Sequence, residues 1–517
     1  MGRPDQPDQP GQADQQRHEA GTPAQSPEAS GEVDGPTPDS PAEAAASPAA
    51  AGEPEPDSAG EPEPGADGAH PDHDVVIGAE DVLAAPAAPV PPAAGSADPT
   101  PSSTPPPAAL PRSWRRPADY AAVAVILVAV LVAGLTVWWF SDARATTLVT
   151  ASGPAPTLAQ PGEVPEALHE VWRAASATTT APVVISSTVV TADSGQVADR
   201  DPLTGQVRWS YTRDLELCTV APAWGRVLAV YRKETNCSEV TALDAGTGQR
   251  GAQRNGNAEL GTRLLSDGVH VTATGRELAE VWRSDLVKSL EYGRVPAIVN
   301  PGKQPRTGCV FGSFAVTSGR VAVVERCPDQ DPSDRLSVLK PNPEESDKPE
   351  VISTTLLPTK GGRVIAVSNT LVASVVPNPA RLVVTEVENG NQVAEYPLDL
   401  GADDLTGDPA GWTVPVTAGA GTAYWFTGSR TVALSLEDFR PLWTVENTLG
   451  PGTLLAGRLL LPVAEGVRVI DQATGATERT IAVDRQGYQG QVALGVAGPV
   501  VLEQRGGTLV ALDSGAR

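Results

Sequence analysis

Asp201-Pro-Leu-Thr204-Gly205-Gln-Val-Arg-Trp209 decides the fold of this chain, because its first five residues come back. The turn Asp-x-x-Thr-Gly recurs as Asp244-Ala-Gly-Thr247-Gly248 and as Asp471-Gln-Ala-Thr474-Gly475, with a truncated copy at Asp513-Ser514-Gly515. The residue types suit a tight turn: the Asp carboxylate accepts from backbone amides ahead of it, the Thr supports it, and the Gly takes the positive φ. The first two copies start 43 residues apart and the last two 42; the 227 residues between divide into five units of about 45. A second phrase, Gly-Arg-hydrophobic, opens strands at Gly225, Gly319 and Gly457, and its gaps of 94 and 138 are two and three such units.

Between these phrases lie short β-branched runs such as RVLAVYR, RVAVVE, RLVVTEV and TVALSL, broken by Gly, Asn, Asp and Pro. Alternation on that scale marks strands of about 4–7 residues. Only the segment around Glu163–Ala175 has the composition of a helix. A period near 45 in an all-β chain means one four-stranded blade per repeat around a common axis. Turn positions fall near 201, 244, 285, 341, 387, 437, 471 and 513. The expected fold is therefore an eight-bladed β-propeller over 166–517, with seven blades as the alternative because repeats three to six match poorly. The last unit stops one strand short, at Val510-Ala511-Leu512-Asp513. Leu168-His169-Glu170-Val171-Trp172-Arg173 has the pattern to fill it, its Trp172 standing where Trp209 and Trp443 stand in their units. A ring closed this way leaves no open sheet edge.

Four cysteines punctuate the same region. Cys218 and Cys237 are separated by 19 residues and Cys309 and Cys327 by 18, each pair spanning a Gly-Arg-hydrophobic hairpin. Pairing within each hairpin would staple neighbouring strands, at about 3 kcal/mol per loop in the chain-entropy model. With no Cys-x-x-Cys, nothing suggests a redox or zinc motif.

Upstream, Tyr120–Phe140 is a 21-residue run without charge, flanked by Tyr120 at one end and Trp138, Trp139 and Phe140 at the other. About 20 apolar residues span a bilayer core, and the aromatic ends suit its interfaces. Arg112, Arg115 and Arg116 crowd the N-terminal flank 112–119, which the positive-inside rule keeps cytoplasmic. All four cysteines follow the run, which an oxidising exterior favours. The expectation is a single-pass plasma-membrane protein with residues 1–111 inside, a linker at 141–165 and the propeller outside. The tail carries net −18 and the exterior net −9, neither with a basic stripe, so nucleic acid is not an expected partner. Residues 1–111, rich in Pro, Ala, Gly and acids, read as disordered. One island, Val75, Val76, Ile77, Val82 and Leu83, is a candidate linear motif for a cytoplasmic partner, weighed against drift in a low-complexity segment.

The Asp201–Trp209 stretch matches the repeat of PQQ-like β-propellers, whose blades carry Asp-x-x-Thr-Gly-x-x-x-Trp. From about residue 165 the chain resembles that superfamily, and with its anchor and acidic tail it looks like the membrane-tethered PQQ-like proteins of actinobacteria. The superfamily includes quinoprotein dehydrogenases and non-catalytic propellers such as the outer-membrane assembly lipoprotein. The resemblance implies the fold. It does not extend to the cofactor: the adjacent Cys-Cys pair that quinoproteins stack on PQQ is absent, and most repeats lack the terminal Trp.

The residues give no catalytic set either. The exterior holds two histidines, His169 and His270, on different units, with no His-Glu-x-x-His and no Gly-x-Ser-x-Gly. Asp329-Gln-Asp331-Pro-Ser-Asp334 lacks the Gly and Glu of an EF-hand loop, so no metal is expected there. The exterior tryptophans read as inter-blade core rather than a carbohydrate platform. No catalytic, cofactor or metal residue is assigned. The leading expectation is a binding or scaffold propeller with unidentified protein partners, serving cell-envelope assembly or maintenance. The alternatives are a transmembrane relay through the 74–83 island and a PQQ-dependent oxidoreductase.

Overall fold

The computed structural model describes residues 116–141, 144–296, 300–327, 332–401, 404–407 and 411–515. The candidate tail motif (Val75, Val76, Ile77, Val82, Leu83) lies outside them, as do Arg112, Arg115, Asp329 and Asp331.

The described residues form eight antiparallel sheets, which settles the blade count at eight. Blades 1 to 8 occupy 183–212, 217–255, 264–293, 310–356, 363–397, 416–446, 453–482 and 492–513, the last completed by His169–Ala175. Of the four blade strands the first lies on the inner side and the fourth on the outer side of the sheet order; blade 1 carries a further strand beyond its fourth and blade 4 one beyond its first. Seven of the turns anticipated, near 201, 244, 285, 341, 387, 437 and 471, sit between third and fourth strands, including those of the poorly matched repeats three to six; the eighth position, 513, ends the third strand of blade 8, whose fourth strand comes from 169–175. Repeats three to six kept their strands and lost the turn signature, because a blade needs a reversal there but not one particular set of residues.

The core follows from this geometry. Rather than one central nucleus there are eight apolar layers, one between each pair of neighbouring blades. Between blades 1 and 2, for instance, Val190, Val197, Trp209 and Tyr211 meet Leu217, Val227, Ala229 and Tyr231. The other seven interfaces are filled in the same way. Middle strands are buried on both faces, hence runs such as Arg458–Val463 with five consecutive buried residues.

The repeated turns are joints between blades. In the first, Thr204 N and Thr204 Oγ1 donate to Asp201 Oδ1 (2.9 and 3.0 Å), and Gly205 N donates to Asp201 O (2.8 Å). The turns at Asp244 and Asp471 repeat that pattern. Gly205, Gly248 and Gly475 all have φ between 72° and 75°. Each is also the floor for a tryptophan from the preceding blade: a Cβ on Gly205 would lie 2.7 Å from Trp172, on Gly248 2.7 Å from Trp209, and on Gly475 2.6 Å from Trp443. The indole N–H groups complete the joint, donating to Pro202 O, Ala245 O and Gln472 O at 2.8, 2.8 and 3.1 Å. Glycine is thus needed twice over, for its backbone and for the ring it supports.

Ring closure takes the anticipated form. His169–Ala175 pairs antiparallel with Thr508–Asp513, from His169 opposite Asp513 to Ala175 opposite Thr508. The segment whose composition suited a helix, 163–175, forms none: 163–168 is irregular and 169–175 is a strand, whose alternate exposure fits an outer blade edge and whose ladder blade 8 needs. Buried polar groups lock the closure. Thr179 Oγ1 donates to Gln504 Oε1 (2.9 Å) and Gln504 Nε2 donates to Ser176 O (2.9 Å). Arg485 Nη2 and Arg505 Nε both donate to the fully buried Glu503, at 2.8 and 2.7 Å.

Both disulfides form, but with different geometry. Cys309 and Cys327 close the open end of one hairpin in blade 4, with Cα atoms 4.3 Å apart. Cys218 and Cys237 do not staple neighbouring strands: they lie on the first and third strands of blade 2, and the bridge passes over the second. Register shifts at Leu217/Thr219 and Tyr231/Lys233 flank the bridge, whose Cα atoms are 6.0 Å apart.

The stretch 141–165, read as a spacer, is fastened to the propeller. Thr147–Val149 adds a fifth strand to blade 1, pairing with Ser210–Thr212. Further along, Leu158 covers Gly498, Val164 is buried, and Arg479 Nη2 donates to Val164 O (2.6 Å). Upstream, the apolar run folds as a helix, Pro117–Trp139, starting three residues before the uncharged stretch. Pro117 stands at its first position and the Asp119 carboxylate accepts from Arg116 N (3.1 Å). Among the described residues it is the one candidate membrane span, with no residue buried.

Candidate functional site

Strands alternate direction within a blade, so the propeller has two distinct faces. One carries the turns between third and fourth strands and the hairpins between first and second. The other carries the loops that pass from each blade to the next. On the axis at this second face the connecting loops enclose a cleft of about 730 Å³. We call this the cleft face.

The cleft wall comes from inter-blade loops at 177–181, 412–417, 451–452 and 488–494, from Arg263 and Leu265 at the start of blade 3, and from Gln504 and Gly506 of the blade 8 hairpin. The longest connection, 398–415, does more than link blades 5 and 6. Trp412 and Thr413 pair in parallel with Ser313 and Phe314 of the inner strand of blade 4, and Gly411 N donates to Phe311 O (2.9 Å). The loop thus reaches past blade 5 to blade 4 and supplies part of the cleft wall. Gly411 approaches Gly275 of blade 3 so closely that an added Cβ would sit 2.7 Å from its carbonyl carbon, at φ +72°.

Two charged groups hold this strap. Asp404, buried, accepts from Gly401 N (2.6 Å), from Thr427 Oγ1, and from Ser429 N and Oγ (both 2.9 Å), and it pairs with Arg430 (2.9 Å). Burial alone would raise its carboxyl; the bonds from Thr427, Gly401 and Ser429 outweigh it and hold the group below the usual carboxylate range. Arg363 donates to Leu405 O and Gly407 O and lies over the Trp412 ring, 5.0 Å from its centroid. Near the strap's tip stands Arg263, bonded to Thr274 beside the Gly275 that Gly411 approaches; burial lowers its pKa. Its guanidinium donates to Thr262 O (3.4 Å), and among the described residues it meets no carboxylate.

Other buried acids serve the frame. Glu325 is pushed up by burial, accepts from Tyr292 and pairs with Arg306 (3.0 Å), which fixes Arg306 near the Cys309–Cys327 bridge. Asp199, between blades 1 and 2, is raised to about 7 because burial outweighs its 2.8 Å pairing with Arg208. Asp334, the described part of the acidic turn, accepts from Gly361 N and Gly362 N (2.7 and 2.9 Å) and pairs with Arg326 (3.4 Å), so it fastens a loop. His169 is exposed on the closing strand. His270 N donates to Asp267 in a hairpin turn of blade 3. Neither lines the cleft.

Of the residues singled out from the sequence, Trp412 alone reaches the cleft: read as inter-blade core with the other exterior tryptophans, it is instead half-buried in the cleft wall, because the 398–415 connection carries it there. The repeat turns lie on the opposite face, and the four cysteines are bonded within blades 2 and 4. The cleft residues Thr180, Arg263, Trp412, Tyr488 and Gln491 carry no motif; they come from loops of unrelated sequence that converge only in the ring. A vicinal Cys pair of the quinoprotein kind is not formed, and the cleft tryptophan has a guanidinium over its ring. These residues do not fit the stacking arrangement that PQQ enzymes use.

No protein-family model and no curated protein matches the chain. Solved structures of similar shape include the computationally designed protein Ika8, at 16% identity over 66% of this chain and 98% of that one, TM-score 0.44. BamB from Moraxella catarrhalis matches at 13% identity over 68% of this chain and 98% of its own, TM-score 0.42. Quinohemoprotein alcohol dehydrogenase from Comamonas testosteroni matches at 13% identity over 68% and 77%, TM-score 0.44. At these identities the likeness concerns the fold.

Proposed function

We propose that this protein is a membrane-anchored binding module: the 117–139 helix is its single span, the N-terminal tail is cytoplasmic, and the propeller stands outside, recruiting a protein partner in cell-envelope assembly or maintenance. The observation that carries this reading is the cleft itself. It is a built concavity on the axis of a closed ring, walled by Thr, Gln, Tyr and Arg side chains and by a strap pinned at Asp404 and Arg363. Such groups orient and hold a ligand. Among the described residues they pair no nucleophile with a base, which supports recognition over turnover. The two disulfides support an oxidising compartment for the propeller. Arg116 beside the helix start and the excess of Arg before it support a cytoplasmic N-terminus.

The test is site-specific photocrosslinking in intact membranes. A crosslinker replacing exposed Gln491 on the cleft rim is expected to give a discrete adduct, and one replacing Ala473 on the opposite face is not. Adducts of equal yield and identity from both positions would remove the cleft as the binding site.

A further inference from the structure

The short connection between helix and propeller determines which face of the ring looks at the membrane. In blade 1 the fourth strand runs from the turn at 201–206 to Thr212, so Thr212 lies at the cleft face. Thr147 pairs with Thr212 and Val149 with Ser210. The chain therefore meets the propeller at the cleft-face end of blade 1 and runs toward the opposite face, where Ala151 N donates to Thr247 O (3.0 Å). Beyond that point it stays fastened on the far side, with Arg208 Nη2 donating to Gly153 O (3.3 Å) and Leu158 over the blade 8 hairpin at Gly498.

Little slack precedes Thr147. Ser141 N donates to Trp138 O (3.3 Å), Arg144 N donates to Ser141 O (3.1 Å), and the Arg144 guanidinium lies 3.6 Å from the Trp139 ring centroid. Arg144 is thus held at the helix end, and three Cα steps remain to Thr147, at most ~11 Å. To bring the turn face to the bilayer, the chain would first have to travel back along the fourth strand, whose six residues cover ~20 Å. The tether is too short for that.

We infer that the propeller is held with its cleft face toward the bilayer, so that the axial cleft takes a partner anchored in the same membrane. This rests on reading 117–139 as a span. A soluble ligand would have to enter between the propeller and the lipid, whereas a partner rising from the membrane meets the cleft directly.

The experiment uses the full chain in liposomes containing headgroup-nitroxide lipids. Its native cysteines are paired, so a fluorophore can be attached at single added thiols: Ser141→Cys on the tether, Thr180→Cys on the cleft rim, and Ala473→Cys on the turn face. Quenching is expected to be strong at 141, and at least threefold greater at 180 than at 473. Strong quenching at 141 with 473 equal to or above 180 would overturn the orientation while leaving the span intact. No quenching at 141 would overturn the span and this inference with it. In native membranes, photocrosslinks from position 180 are expected on a protein that resists alkaline extraction. Crosslinks confined to lipid or to extractable proteins would overturn the membrane-anchored partner.

Discussion

Removing the Trp209 ring tests whether the repeated turns carry the inter-blade energy. Trp209 is fully buried, stacks on Gly248 of blade 2 and donates to Ala245 O. Truncating a buried Trp to Ala costs ~3–5 kcal/mol, and leaving a carbonyl without its donor adds ~1 kcal/mol. Trp209→Ala should therefore cost ~5 kcal/mol. Trp209→Phe keeps an aromatic ring on the glycine and loses mainly the hydrogen bond, at ~1–2 kcal/mol. An unfolding entropy of ~2.1 cal/mol/K per residue over a ring of about 350 residues makes 5 kcal/mol equivalent to ~7 °C. The partner substitution sharpens the test. In the native background, Gly248→Ala meets both the Trp209 ring at 2.7 Å and the strain of φ +75°; once the ring is gone only the strain remains, ~1 kcal/mol. The assay is thermal melting by circular dichroism of residues 144–517 carrying each change singly and together. Gly248→Ala should be less damaging beside Trp209→Ala than alone. Strict additivity, or a Tm drop below 2 °C for Trp209→Ala, would refute the joint.

Other outcomes follow from the same geometry. A fragment starting at residue 180 loses the closing strand, its Trp172 joint and the Thr179–Gln504 bond, and should melt lower or aggregate relative to one starting at 144; equal melting temperatures would sink the closed ring. Non-reducing peptide mapping should link Cys218 to Cys237 and Cys309 to Cys327, and replacing both members of either pair with Ser should cost ~3 kcal/mol in thermal melts. The Asp199 carboxyl is held up at about 7 against 3.8 in the unfolded chain, so the folded state keeps a proton that the unfolded state has shed. Stability from this group is present at low pH and is lost as pH rises from about 4 to 7, by at most ~4 kcal/mol. Melting temperature should fall between pH 5 and pH 7.5 more in the native chain than in Asp199→Asn, and parallel profiles would exclude Asp199 as the source.

The repeats made the fold legible because a blade is a local object. Strand alternation, the Asp-x-x-Thr-Gly turn and the spacing of about 45 each depend on residues close in sequence, so eight repeat positions could be placed before any contact was known. The closing strand was legible for the same reason: its Val171-Trp172 repeats a pattern seen beside two other turns. What the sequence could not display was anything that depends on neighbours brought in by the ring. The Cys218–Cys237 bridge joins the first and third strands of its blade, with register shifts beside it, and no spacing of 19 residues signals that. The 141–165 stretch looks like a linker by composition, yet it supplies an edge strand to blade 1, since any short extended segment can complete a ladder when one is presented to it. The cleft is the clearest case. Thr180, Arg263, Trp412, Tyr488 and Gln491 come from three inter-blade loops and the start of one inner strand, and share no motif, so their meeting is a property of the closed ring. Sequence determined the blade and its closure through short-range patterning and narrowed the count to eight or seven, which the eight sheets resolved. The cleft, and the face on which it opens, were decided by tertiary structure, because they exist only where connections distant in sequence converge in the closed ring.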